Sequence, residues 1–332
     1  MHLEVIESGV LMTIQDQGRK GYQASGFSVS GCMDQRAFHD ANALLNNNLE
    51  EAVLEMSYYG GTVRFTGESY FVLTGADMTP RLNGREVATY KVLQVKGGDV
   101  LQCGKARNGR FTYLGVAGGF DVPLVLGSKS TYLKCGIGGY HGRKLKSGDQ
   151  IPIRKETKEI LNLYLKQLPP PRYSSSVSIR VVPGPQFSYF TENGIGTFFK
   201  EEYVVTEASD RMGYRLEGPF ISYYDKVDII SDAIVFGSIQ IPAIGMPMIL
   251  LADRQTTGGY AKIGTVVTSD LPKLVQCMPG AKVRFECITV ESAILCCKKE
   301  EKSCRQLRKK VGYCRNNEGW MERKVKEWKQ RK

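Results

Sequence analysis

The sequence predicts a mainly β fold made of barrel-like domains with a few short helices. Glycine is frequent, 36 of 332 residues, against a usual share of about 7%. Short runs rich in Val, Ile, Tyr and Phe recur along the chain. Turn residues separate these runs at the spacing of a closed or nearly closed barrel.

The elements follow in order. Strands are expected at residues 3–6 and 11–14. Asp34 can cap a helix whose apolar face is Ala37, Phe38, Ala41, Leu44 and Leu45. Three asparagines, 46–48, end it. Alternating strands are expected at 62–65, 70–74, 92–95, 100–103 and 111–116. The glycine-rich stretches 115–121 and 136–142 read as irregular loops at one end of a barrel or sandwich. Residues 156–168 have helix-forming composition, and Pro169-Pro170-Pro171 stops them. With the serines that follow, the prolines make a linker. Strands are then expected at 178–182, 203–206, 227–230, 234–236, 248–251, 263–268 and 282–290. The organisation is therefore a β-rich domain over 1–168, a linker over 169–176, a barrel over 177–291 and a basic helical tail over 292–332. In that tail Trp320, Met321, Val325 and Trp328 fall on one helical face expected to dock on the body.

Composition excludes several functions. The net charge is +11, but residues 292–332 hold 14 Lys/Arg against five Glu, so nine of those charges sit in the tail. A nearly neutral body argues against a nucleic-acid partner. Nine cysteines lack any Cys-x-x-Cys pair, and the histidines are His2, His39 and His141 alone. No metal site or disulfide framework is expected. No apolar run has the length of a membrane span, and the acidic start lacks signal-peptide character. A cytoplasmic protein without a membrane partner is expected.

The chemistry concentrates in a loop signature that occurs three times, Asp and Arg followed by Gly-Tyr. The copies are Asp16-Gln-Gly-Arg19-Lys-Gly-Tyr22, Asp210-Arg211-Met-Gly-Tyr214 and Asp253-Arg254-Gln-Thr-Thr-Gly-Gly-Tyr260. A carboxylate accepts N–H bonds, a guanidinium forks onto carboxylate or phosphate, and glycines admit a ligand near the backbone. One copy alone can equally brace a turn; three point to a small-anion site. Thr256 and Thr257 offer hydroxyls, Gln255 and Gln240 offer amides, and Tyr214 and Tyr260 offer phenols. Neither common glycine-rich phosphate loop is present, and histidine is too scarce for a Ser-His-Asp arrangement. Met-Lys-Met, where biotin is usually attached, is absent, so the chain is not its own biotin carrier.

Longer motifs carry a resemblance. Val182-Pro-Gly-Pro-Gln186, Ser209-Asp-Arg-Met-Gly-Tyr-Arg-Leu216, Gly237-Ser-Ile-Gln-Ile-Pro242 and Leu250-Leu-Ala-Asp-Arg-Gln-Thr-Thr-Gly-Gly-Tyr260 resemble the family to which the C subunit of 5-oxoprolinase belongs. The same family is called KipA or biotin-dependent carboxyltransferase, and it is related to urea amidolyase. Gln15-Asp-Gln-Gly-Arg19, Ser30-Gly-Cys-Met-Asp34, Leu73-Thr-Gly-Ala-Asp77 and Val116-Ala-Gly-Gly-Phe-Asp121 match it too. The match runs in order over about residues 3–290. Cys32 stands where the family usually has alanine, Ala243 where proline is common, and the tail is idiosyncratic.

The resemblance implies cyclophilin-like β-barrel domains in a hetero-oligomer, partnered by the KipI-like B and the A subunits of 5-oxoprolinase. That complex would use ATP to convert 5-oxo-L-proline to L-glutamate. The alternatives are the carboxyltransferase component of a biotin-dependent carboxylase for urea or a similar amide, and a non-enzymatic antagonist of a KipI-like histidine-kinase inhibitor. The substrates share a carbonyl beside an N–H. On that face Arg211 or Arg254 is expected to fork onto a carboxylate, and Asp210 or Asp253 to accept the N–H. Thr256 and Thr257 would steady charge on the carbonyl oxygen, with Gln255, Tyr260, Tyr214, Gln240, Asp16 and Arg19 as further substrate contacts.

Overall fold

The computed structural model describes residues 1–155 and 163–313. Two sheets make up the first half. One runs in the order Gln150–Pro152, His2–Ser8, Tyr59–Phe65, Val100–Lys105, Arg81–Leu82, Arg85–Glu86. The other runs Leu11–Gln15, Val53–Ser57, Asn108–Val116, Ser69–Asp77, Leu93–Val95. Pairing is antiparallel throughout both. Alternation explains the outer strands: in His2–Ser8, Leu3 and Val5 are buried while Ile6 is exposed. Val53–Ser57 and Asn108–Val116 lie at the centre and are buried along almost their whole length, so they show no alternation.

The expected first helix forms as Gln35–Leu44. Asp34 caps it, accepting from Arg36 N and Ala37 N at 3.0 Å each. Phe38, Ala41 and Leu44 pack against Val72 and Tyr113 of the second sheet.

The second half is a closed seven-stranded barrel. Its order is Ser176–Pro183, Lys262–Val266, Ser238–Gln240, Met248–Leu250, Gly213–Glu217, Tyr203–Val205, Lys282–Cys287. The ring is completed by the parallel pair of Ser176–Pro183 and Lys282–Cys287. The interior holds Ile179, Val181, Tyr214, Ile239, Ile249, Ile263 and Val283, all shielded from solvent. Asp228–Ala233 and Thr257–Tyr260 form a separate two-stranded sheet.

Several expectations are corrected. Residues 234–236 form a turn rather than a strand, since Gly237 takes φ +91° and redirects the chain into Ser238–Gln240. The last barrel strand stops at Cys287 instead of 290, because Thr289 caps the helix Val290–Lys310. The helix expected over 156–168 falls partly outside the described residues, and only the short turn Leu163–Leu165 belongs to them. Trp320, Met321, Val325 and Trp328 lie outside the described residues too. The helix Val290–Lys310 packs on the body through buried Cys304 and an ion pair from Arg36 to Glu300.

A candidate substrate site at the seam between sheets and barrel

The three Asp–Arg loops converge on the junction of the two halves. The close approach is built into the sequence: a Cβ on Gly31 would lie 3.0 Å from the Cα of Gly18, and both glycines have positive φ. Backbone therefore packs on backbone where the loop 16–19 meets 28–31. Ser28 Oγ then donates to Ala252 O of the barrel at 3.2 Å.

Arg211 lies at the centre of the junction. Its Nε and Nη2 donate to Asp253 Oδ2 and Oδ1 at 2.8 and 3.0 Å. Nη2 also donates to Gly31 O at 2.8 Å, and Nη1 donates to Glu55 Oε1. Burial works against its charge, but Asp253 and Glu55 overcome it and hold the guanidinium above its ordinary value. All three guanidinium nitrogens of Arg211 donate to protein. Its expected role as a substrate fork is therefore corrected: it joins the halves.

Other expected contacts are corrected likewise. Asp210 Oδ1 accepts from Met212 N at 2.8 Å and Gly213 N at 3.2 Å, so it braces its own turn. Tyr214 is buried in the barrel and donates to Val275 O at 2.5 Å. Asp16 makes no ion pair with Arg19 and instead accepts from Gly18 N, Ser128 Oγ, Lys129 N and Ser130 Oγ. Three of these donors meet Oδ1 and one meets Oδ2, so the carboxylate ties its own loop to residues 128–130. Gln240 is buried, with Nε2 donating to Tyr260 O at 3.1 Å and Oε1 without a partner among the described residues.

Two guanidiniums differ from Arg211 in kind. Arg254 is 6% exposed and donates from Nε to Ile234 O and from Nη1 to Leu251 O. It lies over the Phe236 ring at 5.7 Å. Among the described residues it pairs with no carboxylate. Burial pushes its pKa down to about 10, with the charge of Asp253 acting the other way. Arg19 is fully buried, and its Nε and Nη2 donate to Val125 O and Ser130 O. Its Nη1 has no acceptor among the described residues. Burial lowers its pKa too, opposed by Asp16, Asp253 and Cys135. Asp253 thus acts on both cations. A buried cation with open donors and no ion-pair partner favours an acceptor-rich ligand.

The loop after Arg254 opens to solvent. Gln255 and Thr256 are half-buried, and Thr257 and Tyr260 are exposed. A cleft of about 400 Å³ is lined by residues 136–142 and by Val125, whose carbonyl accepts from Arg19 Nε. A larger cleft of about 630 Å³ on the barrel, walled by Thr206, Arg215, Met246 and Met248, contains none of the expected site residues. No group of metal-ligating side chains occurs among the described residues.

Sequence reasoning missed Glu55. It is the single charged residue in the run Val53–Ser57, and that isolation amid apolar neighbours was the available signal.

Comparison with known proteins identifies this arrangement. The family model described as carboxyltransferase domain, subdomain A and B, matches residues 25–287. The chain belongs to that carboxyltransferase family. It is 36% identical over 306 residues to the C subunit of 5-oxoprolinase from Escherichia coli, covering 92% of this chain and 97% of that protein. Urea amidolyase of Saccharomyces cerevisiae is 31% identical over 309 residues, which are 88% of this chain but 17% of the yeast protein. Among solved structures, the urea amidolyase of K. lactis superposes with TM-score 0.84 at 28% identity, covering 92% of this chain and 20% of the other. The mainly β architecture is thus that of carboxyltransferase domains.

Proposed function

We propose that this chain is the C subunit of an ATP-dependent 5-oxoprolinase, working with the KipI-like B and the A subunits on 5-oxo-L-proline. One observation carries the reading: Arg254 is a buried guanidinium without a carboxylate partner among the described residues, beside an acid whose position is fixed, at the base of a loop rich in hydroxyls. Near full-length similarity to the corresponding 5-oxoprolinase chain of Escherichia coli supports it.

In this reading Arg254 takes the substrate carboxylate. Asp253 accepts the lactam N–H, since each of its oxygens keeps a lone pair beyond the bond to Arg211. Arg19 Nη1 supplies a further donor from the opposite half. Ring opening places a water oxygen on the carbonyl carbon and returns the ring nitrogen as an amine. Negative charge gathers on the carbonyl oxygen in between, and Thr256, Thr257 and nearby backbone N–H groups steady it. ATP supplies the driving force in the complex; this chain carries neither common phosphate loop. The setting is cytoplasmic.

The similarity to urea amidolyase and urea carboxylase favours a second reading, carboxyl transfer to urea from a separate biotin carrier. The same donors would then face a carboxylate and an amide. Arg254→Ala in the three-subunit complex is expected to lower kcat/KM for glutamate formation by about 10²–10³. Near-normal turnover refutes the assignment. Absence of glutamate from the wild-type complex, with urea carboxylated once a biotin carrier is supplied, selects the second reading.

A further inference from the structure

We infer that Glu55 is a positioning residue for the seam: through Arg211 it fixes the loop carrying Asp253 and Arg254 against the loop carrying Arg19. Its link to catalysis rests on the reading of the seam as the substrate site; the positioning itself does not.

Glu55 stands on a central strand of the first half, 1% exposed, opposite Tyr113 in register. Its Oε2 accepts from Met33 N at 2.8 Å and its Oε1 accepts from Arg211 Nη1. Burial raises its pKa, with Arg211, Met33 N and the Tyr113 phenol opposing. A buried ion pair of this kind is weak evidence for stability, because apolar residues of similar volume often do as well or better there. What a directional charged pair adds here is a bond between two surfaces that forms in one register.

The bonds beyond Arg211 show what is registered. Asp253 N donates to Arg211 O at 2.9 Å, and Leu251 N donates to Met212 O at 2.9 Å. With the two side-chain bonds to Asp253, four hydrogen bonds tie the loops 210–213 and 251–254 into one piece. Glu55 and Gly31 O hold that piece from the half that carries Arg19. Without Glu55, Arg211 keeps Asp253 but loses its charged anchor on the sheets. Arg254 and Arg19 then lose their fixed separation, although neither touches Glu55.

Hydrogen exchange on the whole chain tests this without substrate. In Glu55→Gln the amides of 251–257 are expected to exchange at least tenfold faster, while those of Met248–Leu250 and Lys262–Val266 keep their wild-type rates. Arg211→Lys, which breaks the clamp from the other side, is expected to give the same loop-restricted pattern should Glu55→Gln fold poorly. In the three-subunit complex, folded Glu55→Gln should lose at least tenfold in kcat/KM, and the double variant should be no worse than either single one. Unchanged loop exchange in both variants overturns the inference. So does a uniform rise along the chain with normal kcat/KM, which would make the pair a plain stability element. Loop loosening combined with a silent Arg254→Ala would sink only the substrate reading.

Discussion

Asp270 illustrates how a single buried charge is kept ionised here. It has no solvent exposure, yet its carboxylate accepts from Arg180 N at 3.0 Å, Arg180 Nε at 2.7 Å and Lys273 Nζ at 3.1 Å. Burial raises its pKa, but the Arg180 bonds and Lys273 outweigh that and hold it below the ordinary value. A depressed folded pKa stabilises the protein fully above the unfolded value of about 3.9, and that contribution disappears as pH falls through the folded value. Stability measured by denaturant titration should therefore fall below about pH 4. Asp270→Asn should be less stable at pH 7 and lose less on acidification. An acid limb as steep in the variant as in the wild type would refute this. Asp270 was legible only as a polar residue before Leu271-Pro272, because its partner Arg180 lies 90 residues away.

At the scale of elements, local chemistry was readable and long-range chemistry was not. Asp34 before an apolar 3.6-residue pattern gave the helix Gln35–Leu44 and its cap. Nothing local showed that Asp34 Oδ2 also accepts from Gln276 Nε2 at 2.9 Å and from the Tyr173 phenol at 3.3 Å. The helix Glu192–Lys200 escaped because Gly194 and Gly196 mask it, although Thr191 caps it through Gly194 N. In the site, the three loops were legible as motifs, but their bonding was not. Of the expected guanidiniums, Arg211 is bound by carboxylates, whereas Arg19 and Arg254 meet only carbonyl oxygens among the described residues. Removing a cap alone costs about 1 kcal/mol, and leaving one N–H of buried Gln276 without its acceptor adds about 1–3 kcal/mol. Asp34→Ala should thus destabilise by about 2–4 kcal/mol in urea unfolding. Asp34→Asn, which keeps an acceptor, should cost clearly less. Equal losses would mean that charge, not bonding, sets the effect.

For the whole molecule, the seam decides whether sheets and barrel unfold together. Glu55 and Arg211 cross it in one place, and Arg110 crosses it in another. Arg110 is 2% exposed and projects from the strand Asn108–Val116, with its guanidinium 4.5 Å from the Tyr58 ring and 4.7 Å from the Tyr214 ring. Its Nη2 donates to Ser209 O at 2.5 Å, while its backbone N donates to Gln276 Oε1 at 2.8 Å. A cation between two aromatic faces, shielded from water, is worth about 2 kcal/mol or more. Helix Gln35–Leu44 and Val275 of the barrel half share one apolar core with these contacts. The two halves should accordingly melt as one cooperative unit, with near- and far-ultraviolet dichroism giving the same midpoint. Arg110→Ala should lower that midpoint by about 2–8 °C, on the usual relation between lost free energy and Tm for a chain of this size. The two signals should still coincide in the variant, because one apolar core spans both halves. Separate transitions already in the wild type would mean that the seam bonds do not couple the halves. Arg254 and Arg19 would then belong to two halves whose joint opens independently of either fold.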